Sequence, residues 1–237
     1  MCIIRARLKN FGIYLVMIED LVIFGTTASI QVIGYMLCRN FFNVKGRAWL
    51  LSLGTSTIYT VMTPYTVFQF VKNVYEGGGG IVVLYRNEAF VDRVLVIWFL
   101  SFLCLDCVIG MIDYRQHLRL DTTWAHHGAF IVNNAFMLAR KRSSLFIMMT
   151  PIEVPTFILA VGSVFPAMRN DFLFGTTFFA FRLVYETALC VYSMTLPELP
   201  RGYILGVFFV TTVMHMFWFY KWCRLYVAST EKSTELV

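Results

Sequence analysis

The chain has 237 residues, of which 58% are hydrophobic and 14% are charged, and its net charge is +6. Soluble domains carry charges on about a quarter of their residues. This composition therefore excludes a water-soluble globular protein and indicates a chain that lies in lipid. The basic residues stand between the apolar segments without a nucleic-acid-binding motif. That excludes nucleic acid as a partner and makes membrane lipids with anionic headgroups the expected one.

Seven apolar stretches approach the length of about 20 residues that a helix needs to cross a bilayer. In chain order they are residues 17–38, 48–71, 94–114, 122–139, 144–166, 172–194 and 203–226. Short connections favour antiparallel neighbouring helices. The longest connection contains Gly77–Gly80, which we interpret as a flexible surface turn. The sequence thus predicts an all-α fold, a polytopic transmembrane helical bundle of about seven spans.

Polar side chains within the predicted spans indicate a site. A charged residue at the bilayer centre costs about 2.5–3.5 kcal/mol on insertion scales, so it faces protein or water. The first stretch begins with Glu19 and Asp20, which leaves the start of that span open. Deeper in the spans the candidates are Asp106, Asp113, His126, His127, Asn133, Asn134, Glu153, Arg182, Glu186 and His215.

Helical spacing groups some of these candidates. Asp106 and Asp113 are seven residues apart and share a helix face. In the next span, two polar stripes run side by side, one from His126 and one from His127. A short turn joins the two spans, so a carboxylate can meet an imidazole there. Two interpretations follow: an acid–base pair for catalysis, or a buried polar network that locks helices together.

The later spans leave two further alternatives open. Arg182 and Glu186 stand four residues apart, which allows charge compensation within one helix or an arginine that anchors a lipid headgroup. Glu153 lies between two prolines, which predicts a kinked helix that lines a cavity. His215 is interpreted as a histidine satisfied at a helix interface.

Metal binding is not expected at the histidine pair. Adjacent residues of a helix point about 100° apart, so His126 and His127 are poorly placed to chelate one ion together. The Cys104/Cys107 spacing has no second cysteine pair beside it. The sequence therefore predicts no metal.

From Lys45 to Leu225 the chain resembles the TLC-domain family, which includes the ceramide synthases. The resemblance rests on motifs that occur in the family's order. They are the basic segment Lys45-Gly46-Arg47-Ala48-Trp49, Asp106, the pair His126-His127, the segment Glu153-Val154-Pro155-Thr156-Phe157, Arg182, and the ending His215-Met216-Phe217-Trp218-Phe219. The resemblance also suggests three regions: 1–44 with the first helix, a TLC-like domain over 45–226, and a tail over 227–237.

The resemblance implies six helices around a central elongated cavity, an extra N-terminal helix, and residence in the endoplasmic reticulum or a related membrane. It implies catalytic roles for His126 and His127, with Asp106 as the residue that would orient an imidazole. The expected lipid-contacting residues are Asp113, Asn133, Asn134, Glu153, Arg182, Glu186, His215 and Trp218.

One difference from the ceramide synthases leads to two hypotheses about function. Their motif continues into a His-Asp-x-x-Asp segment, whereas this chain has Arg140-Lys141-Arg142-Ser143-Ser144. The chain looks closer to the small TLC-domain-containing proteins. The first hypothesis is a lipid-homeostasis protein that binds a lipid or acyl chain in an intramembrane cavity, without a cofactor. The alternative is an acyltransferase with acyl-CoA as co-substrate.

Overall fold

The computed structural model describes residues 2–76 and 80–234, and these residues form helices and turns without a strand. The predicted all-α class is thereby confirmed. The α-helices are α1 Cys2–Cys38, α2 Val44–Arg47, α3 Leu50–Tyr75, α4 Ile81–Arg86, α5 Phe90–Asp113, α6 Ala125–Ala139, α7 Ser143–Ile147, α8 Val154–Val164, α9 Asp171–Phe178, α10 Glu186–Met194 and α11 Arg201–Thr234. Of the predicted glycine turn, residues 77–79 lie outside the described part of the chain.

Within the described residues, three helices are long and apolar enough to cross a membrane. They are Met17–Phe41, Phe90–Asp113 and Arg201–Ala228. Helix α3 has the length, but its many threonines and serines make it more polar. The other predicted stretches fold as interrupted helices. The stretch 144–166, for example, is divided into α7, a 3₁₀ turn over Thr150–Glu153, and α8.

Polar contacts align α1 with both ends of α5, an ion pair at one end and a hydrogen bond at the other. At one end, Arg93 lies 2.6 Å from Asp20 and 3.4 Å from Glu19, measured between side-chain nitrogen and oxygen. At the other end, Asp113 pairs with Arg47 at 2.8 Å and accepts a hydrogen bond from Tyr35. The two helices therefore run parallel, and the acidic pair that interrupts the first apolar stretch is explained by its basic partner on α5.

Helix α5 lies at the centre of the bundle, between α1, α3, α6 and α7. Ser101 is fully buried and contacts α1, where it accepts hydrogen bonds from Thr27 at 3.1 Å and from Gln31 at 2.8 Å. On the α3 side, the Tyr59 hydroxyl donates to the Leu95 carbonyl at 2.8 Å. Phe99 packs against aromatic rings of α3, α6 and α7. Hydrogen bonds to α1 and α3 and aromatic packing against α3, α6 and α7 therefore hold α5 in place.

Two π-helical segments interrupt the second half of the chain, Leu120–Trp124 before α6 and Phe179–Tyr185 between α9 and α10. A π turn widens the helix by one residue, and such turns occur often at functional sites. Prolines begin the elements on either side of Glu153: Pro151 in the 3₁₀ turn and Pro155 in α8. Proline is tolerated there because the first helical N–H has no intrahelical partner.

Helix α11 closes the bundle against the start of the α6 segment and against α9. Lys221 donates to Asp121 at 2.7 Å across 100 residues of sequence. Gly175 of α9 faces Trp222 so closely that a Cβ at Gly175 would coincide with the indole ring. The absence of a side chain at Gly175 therefore sets the distance between α9 and α11.

The Asp121–Lys221 contact predicts a pH dependence of stability. The hydrogen bond from Lys221 lowers the pKa of Asp121 below its ordinary value, with Arg119 contributing in the same direction. The contact therefore stabilises the fold at pH values above the unfolded pKa of about 4, and its contribution is lost as pH falls through the lower folded pKa. Both side chains are partly exposed, so we expect at most about 1 kcal/mol.

The measurement is the thermal unfolding midpoint of the detergent-solubilised protein at neutral and strongly acidic pH. Lys221→Gln should lower the midpoint at neutral pH and lose less than wild type on acidification. Equal acid sensitivity of the two proteins would contradict the assignment. Lys72→Gln is the control, because Lys72 lies in the last turn of α3, outside this contact.

Candidate functional site

His127, the buried member of the histidine pair, faces Asp106, the carboxylate that was predicted to lie beside it. His127 is 6% exposed, and its Nδ1 lies 3.6 Å from the Asp106 carboxylate and 3.6 Å from the Cys107 sulfur. The Tyr114 hydroxyl donates to Asp106 at 2.7 Å. Between nitrogen and oxygen, 3.6 Å is longer than a hydrogen bond, whereas the larger sulfur atom lies within hydrogen-bonding distance. The predicted carboxylate–imidazole pair is therefore adjacent, with the carboxylate held by tyrosine.

The neighbouring histidine points to a different part of the bundle. The His126 ring lies 5.2 Å from the Trp218 ring and 4.7 Å from the Phe130 ring, between centroids. Its Nδ1 is buried and has no hydrogen-bond partner among the described residues. The two imidazole centroids are 5.5 Å apart. The 100° step of an α-helix explains why one ring meets α5 and the other meets α11.

His215 is almost fully buried and lies between Arg182 and Glu186, the two charged residues of the stretch 172–194. Its Nε2 lies 3.2 Å from Arg182, and its Nδ1 lies 2.7 Å from the Glu186 carboxylate. A guanidinium can only donate, so Nε2 must accept and Nδ1 carries the proton. Thr211 donates to the other Glu186 oxygen. Hydrogen bonding therefore assigns a neutral imidazole with its proton on Nδ1, donated to the Glu186 carboxyl group.

Arg182 also crosses to the interrupted helix. Its Nε donates to the Ile152 carbonyl at 3.0 Å, and a terminal nitrogen donates to Thr156 at 2.7 Å. The same nitrogen lies 3.6 Å from the Glu153 carboxylate. We call Glu153, Arg182, His215 and Glu186 the buried polar chain. Arg182 and Glu186 are thus linked through a histidine of another helix rather than directly along their own helix.

A half-open cavity of about 90 Å³ lies between α6, α7, α10 and α11. Most of its wall is apolar, and its polar groups come from Asn133, Glu186, Ser193, Tyr203 and Thr211. Asn133 accepts a hydrogen bond from Tyr203. Glu186, at one end of the buried polar chain, is therefore also part of the cavity wall.

The structure brings most of the predicted site residues into one connected region. Trp218 links its two parts, because its ring lies 5.2 Å from the His126 ring and 5.9 Å from the His215 ring. Asn134 is buried beside this region and donates to the Phe130 carbonyl of its own helix. Asp113 is not part of it, since it pairs with Arg47 at the end of α5.

Sequence reasoning missed several partners of the site. Thr211 precedes His215 by four residues, a spacing that places two side chains on one helix face and offered a signal. Tyr114, Thr156 and Tyr203 gave no such signal, because each binds across a helix end or another helix. Within the described residues, no three His, Cys, Asp or Glu side chains are gathered as a metal ion would need.

No family model, no curated protein and no solved structure matches the chain. The chemistry of the site itself must therefore indicate what it does. The Glu186 carboxyl group lines an apolar cavity and is linked to a neutral histidine and an arginine, and the buried Nδ1 of a second imidazole, His126, has no partner among the described residues.

Removal of the Glu186 carboxylate should be strongly destabilising. In Glu186→Ala the buried His215 and Thr211 lose their shared acceptor, and a buried donor left without a partner costs about 1–3 kcal/mol. Glu186→Gln should cost less, because an amide oxygen still accepts from His215 and Thr211.

Thermal unfolding in detergent, together with the monodisperse fraction after extraction, measures this effect. Glu198→Ala is the matched control, since Glu198 faces Arg86 at the surface, where both side chains are exposed. Such a pair contributes at most about 1 kcal/mol. If Glu186→Ala were as stable as Glu198→Ala, the buried polar chain would not support the fold.

Proposed function

We propose that the chain is a multi-pass membrane protein of TLC-like architecture with about seven spans. Seven helical stretches overlap the apolar segments of the sequence, and buried ionisable groups such as Asp106, Glu153 and Arg182 lie well inside them. The outer helices support the same proposal, because α1 and α11 expose large apolar side chains such as Leu37 and Phe209. An exposed apolar surface of this extent is stable in lipid rather than in water.

Within this architecture the protein binds a lipid or acyl chain in the cavity between α6, α7, α10 and α11 and thereby acts in lipid homeostasis. The observation that carries the proposal is an apolar wall that ends at Asn133, Glu186 and Thr211. Ligand sites typically combine such a lining with a few fixed polar groups. Because the cavity is half-open and holds about 90 Å³, it receives one part of a long molecule while the rest lies in the bilayer.

The endoplasmic reticulum or a related endomembrane is the proposed location, in line with the family resemblance.

Asn133 and Tyr203 would receive the polar part of the lipid, because an amide and a phenol both accept and donate hydrogen bonds. Glu186 is oriented by His215 and Thr211, and its carboxyl oxygens accept hydrogen bonds, so it favours a hydroxyl or amine donor on the ligand. These groups select a lipid with a hydrogen-bond donor near its first carbons.

Filling this cavity should reduce the capture of a fatty acid by the protein. Val207 of α11 lines the cavity, so Val207→Trp should reduce labelling of the protein by a photoactivatable, clickable fatty acid in cells by several fold. Val210→Trp is the matched control, because Val210 lies one turn further along α11 and is exposed. Equal labelling of the two variants would overturn the proposed cavity.

The second candidate is acyl transfer, favoured by the arrangement of the histidine pair. In this reaction an imidazole takes the proton from an attacking amine or hydroxyl, which forms a new bond to the thioester carbonyl of acyl-CoA. The departing thiolate then leaves as CoA after protonation. His126 has a ring nitrogen without a partner, and Asp106 lies beside His127 for orientation.

The basic segment Arg140-Lys141-Arg142, directly after α6, would contact the phosphates of acyl-CoA in this reaction. Arg140 lies 14 residues after His126, about 20 Å along a helix axis. Arg142 donates to the Tyr85 carbonyl and stacks over the Tyr85 ring at 4.1 Å. CoA phosphates at this segment would thus lie one helix length from the imidazoles. Arg142 already has partners, so Arg140 and Lys141 are the residues best placed to receive them.

An assay of purified protein with acyl-CoA and a long-chain amine separates the two candidates. If the acyltransferase is correct, wild type forms the amide and His126→Ala and His127→Ala each lower the rate by about 10²–10⁴-fold, the range for loss of a general base. Product formation no greater than that of a double-histidine variant would exclude it. The lipid-binding proposal is independent of that result and is tested by Val207→Trp.

A further inference from the structure

A second cavity lies on the opposite side of α5, between α1, α3 and α5. It measures about 400 Å³ and is open on one side, and we call it the α1–α3–α5 groove. This volume falls within the range of about 300–1,000 Å³ that is typical of small-molecule sites. Its lining is apolar apart from Gln31, Thr55, Tyr35 and Trp98. None of the histidines lines it, so it is separate from the site above.

Two glycines face the open space of the groove. Gly34 of α1 and Gly54 of α3 line it, and a Cβ built at either position meets no atom within 4 Å. Glycine within a helix is destabilising relative to alanine. Close packing does not require it here, because there is empty space in front of each residue. A larger side chain at either position would therefore enter the volume of the groove.

Basic side chains surround one end of the groove. The Tyr35 ring lines the groove, and its hydroxyl donates to Asp113. Asp113 pairs with Arg47 at 2.8 Å and lies 3.9 Å from Arg39. Lys45 is exposed on α2, in the same short connection between α1 and α3. We call Arg39, Lys45 and Arg47 the rim.

The rim carries more positive charge than the protein neutralises. Arg39 and Arg47 share one carboxylate, Asp113, so the two arginines keep a net charge of +1, and the exposed Lys45 adds a third cation in the same connection. The Nε of Arg47 is also buried and has no hydrogen-bond partner in the described part of the chain. A buried donor without a partner is costly. A ligand that supplies acceptor oxygens and negative charge would satisfy both conditions.

We propose that the α1–α3–α5 groove binds an anionic glycerophospholipid. An acyl chain lies in the groove along Gly34 and Gly54, and the phosphate lies at the rim. The rim stands at the ends of α1 and α5, two of the helices long enough to cross a bilayer, which is where headgroups are found. Basic pockets between transmembrane helices are a recurrent way of binding such headgroups. A soluble phosphate compound would not use the apolar length of the groove.

The test is native mass spectrometry of the full chain extracted from vesicles of equal parts phosphatidylcholine and phosphatidylglycerol. Wild type should retain phosphatidylglycerol in preference to phosphatidylcholine. Lys45→Gln should lower that preference about fivefold, which is the effect of one basic side chain near a membrane surface. Lys72→Gln is the charge control, because Lys72 lies at the far end of α3, and it should leave the preference unchanged.

Occupation of the groove is tested by Gly34→Leu, Gly54→Leu and the matched control Gly25→Leu. Gly25 lies on α1, and a Cβ there also meets no atom within 4 Å, but it does not line the groove. The first two variants should lose both lipids while Gly25→Leu retains them. The proposal is overturned if all three retain lipid equally, if all three lose it equally, or if wild type retains the two lipids without preference.

This result is independent of the proposed function. Val207→Trp fills the other cavity and should leave phosphatidylglycerol retention unchanged. Loss of fatty-acid labelling in Val207→Trp with lipid retained in the groove would separate the two sites. Retention by Gly34→Leu with labelling abolished in Val207→Trp would overturn the groove alone.

Discussion

A guanidinium buried among apolar helices must be neutralised within a few ångströms, and the second half of this fold is arranged around that requirement. Arg182 meets one carboxylate, Glu153, directly and a second, Glu186, through His215. These residues come from the interrupted α7–α8 stretch, from the α9–α10 stretch and from α11. Each helix therefore supplies a partner that another needs, and removal of one leaves a charge that lipid cannot solvate.

The same compensation positions the candidate site. With Nε2 accepting from arginine and Nδ1 donating to Glu186, the His215 ring has a fixed orientation, and the Trp218 indole packs between it and His126. The second acid, Asp106, is held by Tyr114 beside His127. Two carboxylates thus lie on either side of the histidine pair, one facing a cavity and the other buried on α5.

Helix α5 separates two regions of different character. On one flank lie the histidine pair, the buried polar chain and a small cavity with a polar wall. On the other flank, α1 and α3 leave a larger groove that two glycines line, and basic residues follow at the end of α1. The contacts that hold α1 parallel to α5 lie at Arg93 and at Asp113, and the hydroxyl of Tyr35, which lines the groove, bonds to Asp113.

The sequence by itself determined the helical class, because long apolar runs without turn residues have no other way to satisfy their backbone in lipid. It also indicated which polar residues matter, since charge within such runs is costly wherever the chain folds. Helical spacing predicted that Asp106 lies near the histidine pair, because the spans that carry these residues follow one another in the chain, and α5 and α6 are neighbours in the structure.

Only the tertiary structure decided which of these groups meet. His215 stood alone in the sequence because its partners lie 29 and 33 residues away on another helix. Asp113 shares a helical repeat with Asp106, yet it pairs with residues before α3, because the helix end at Tyr114 and the approach of α1 determine its neighbours. Periodicity specifies a face of a helix, whereas packing specifies what lies against that face.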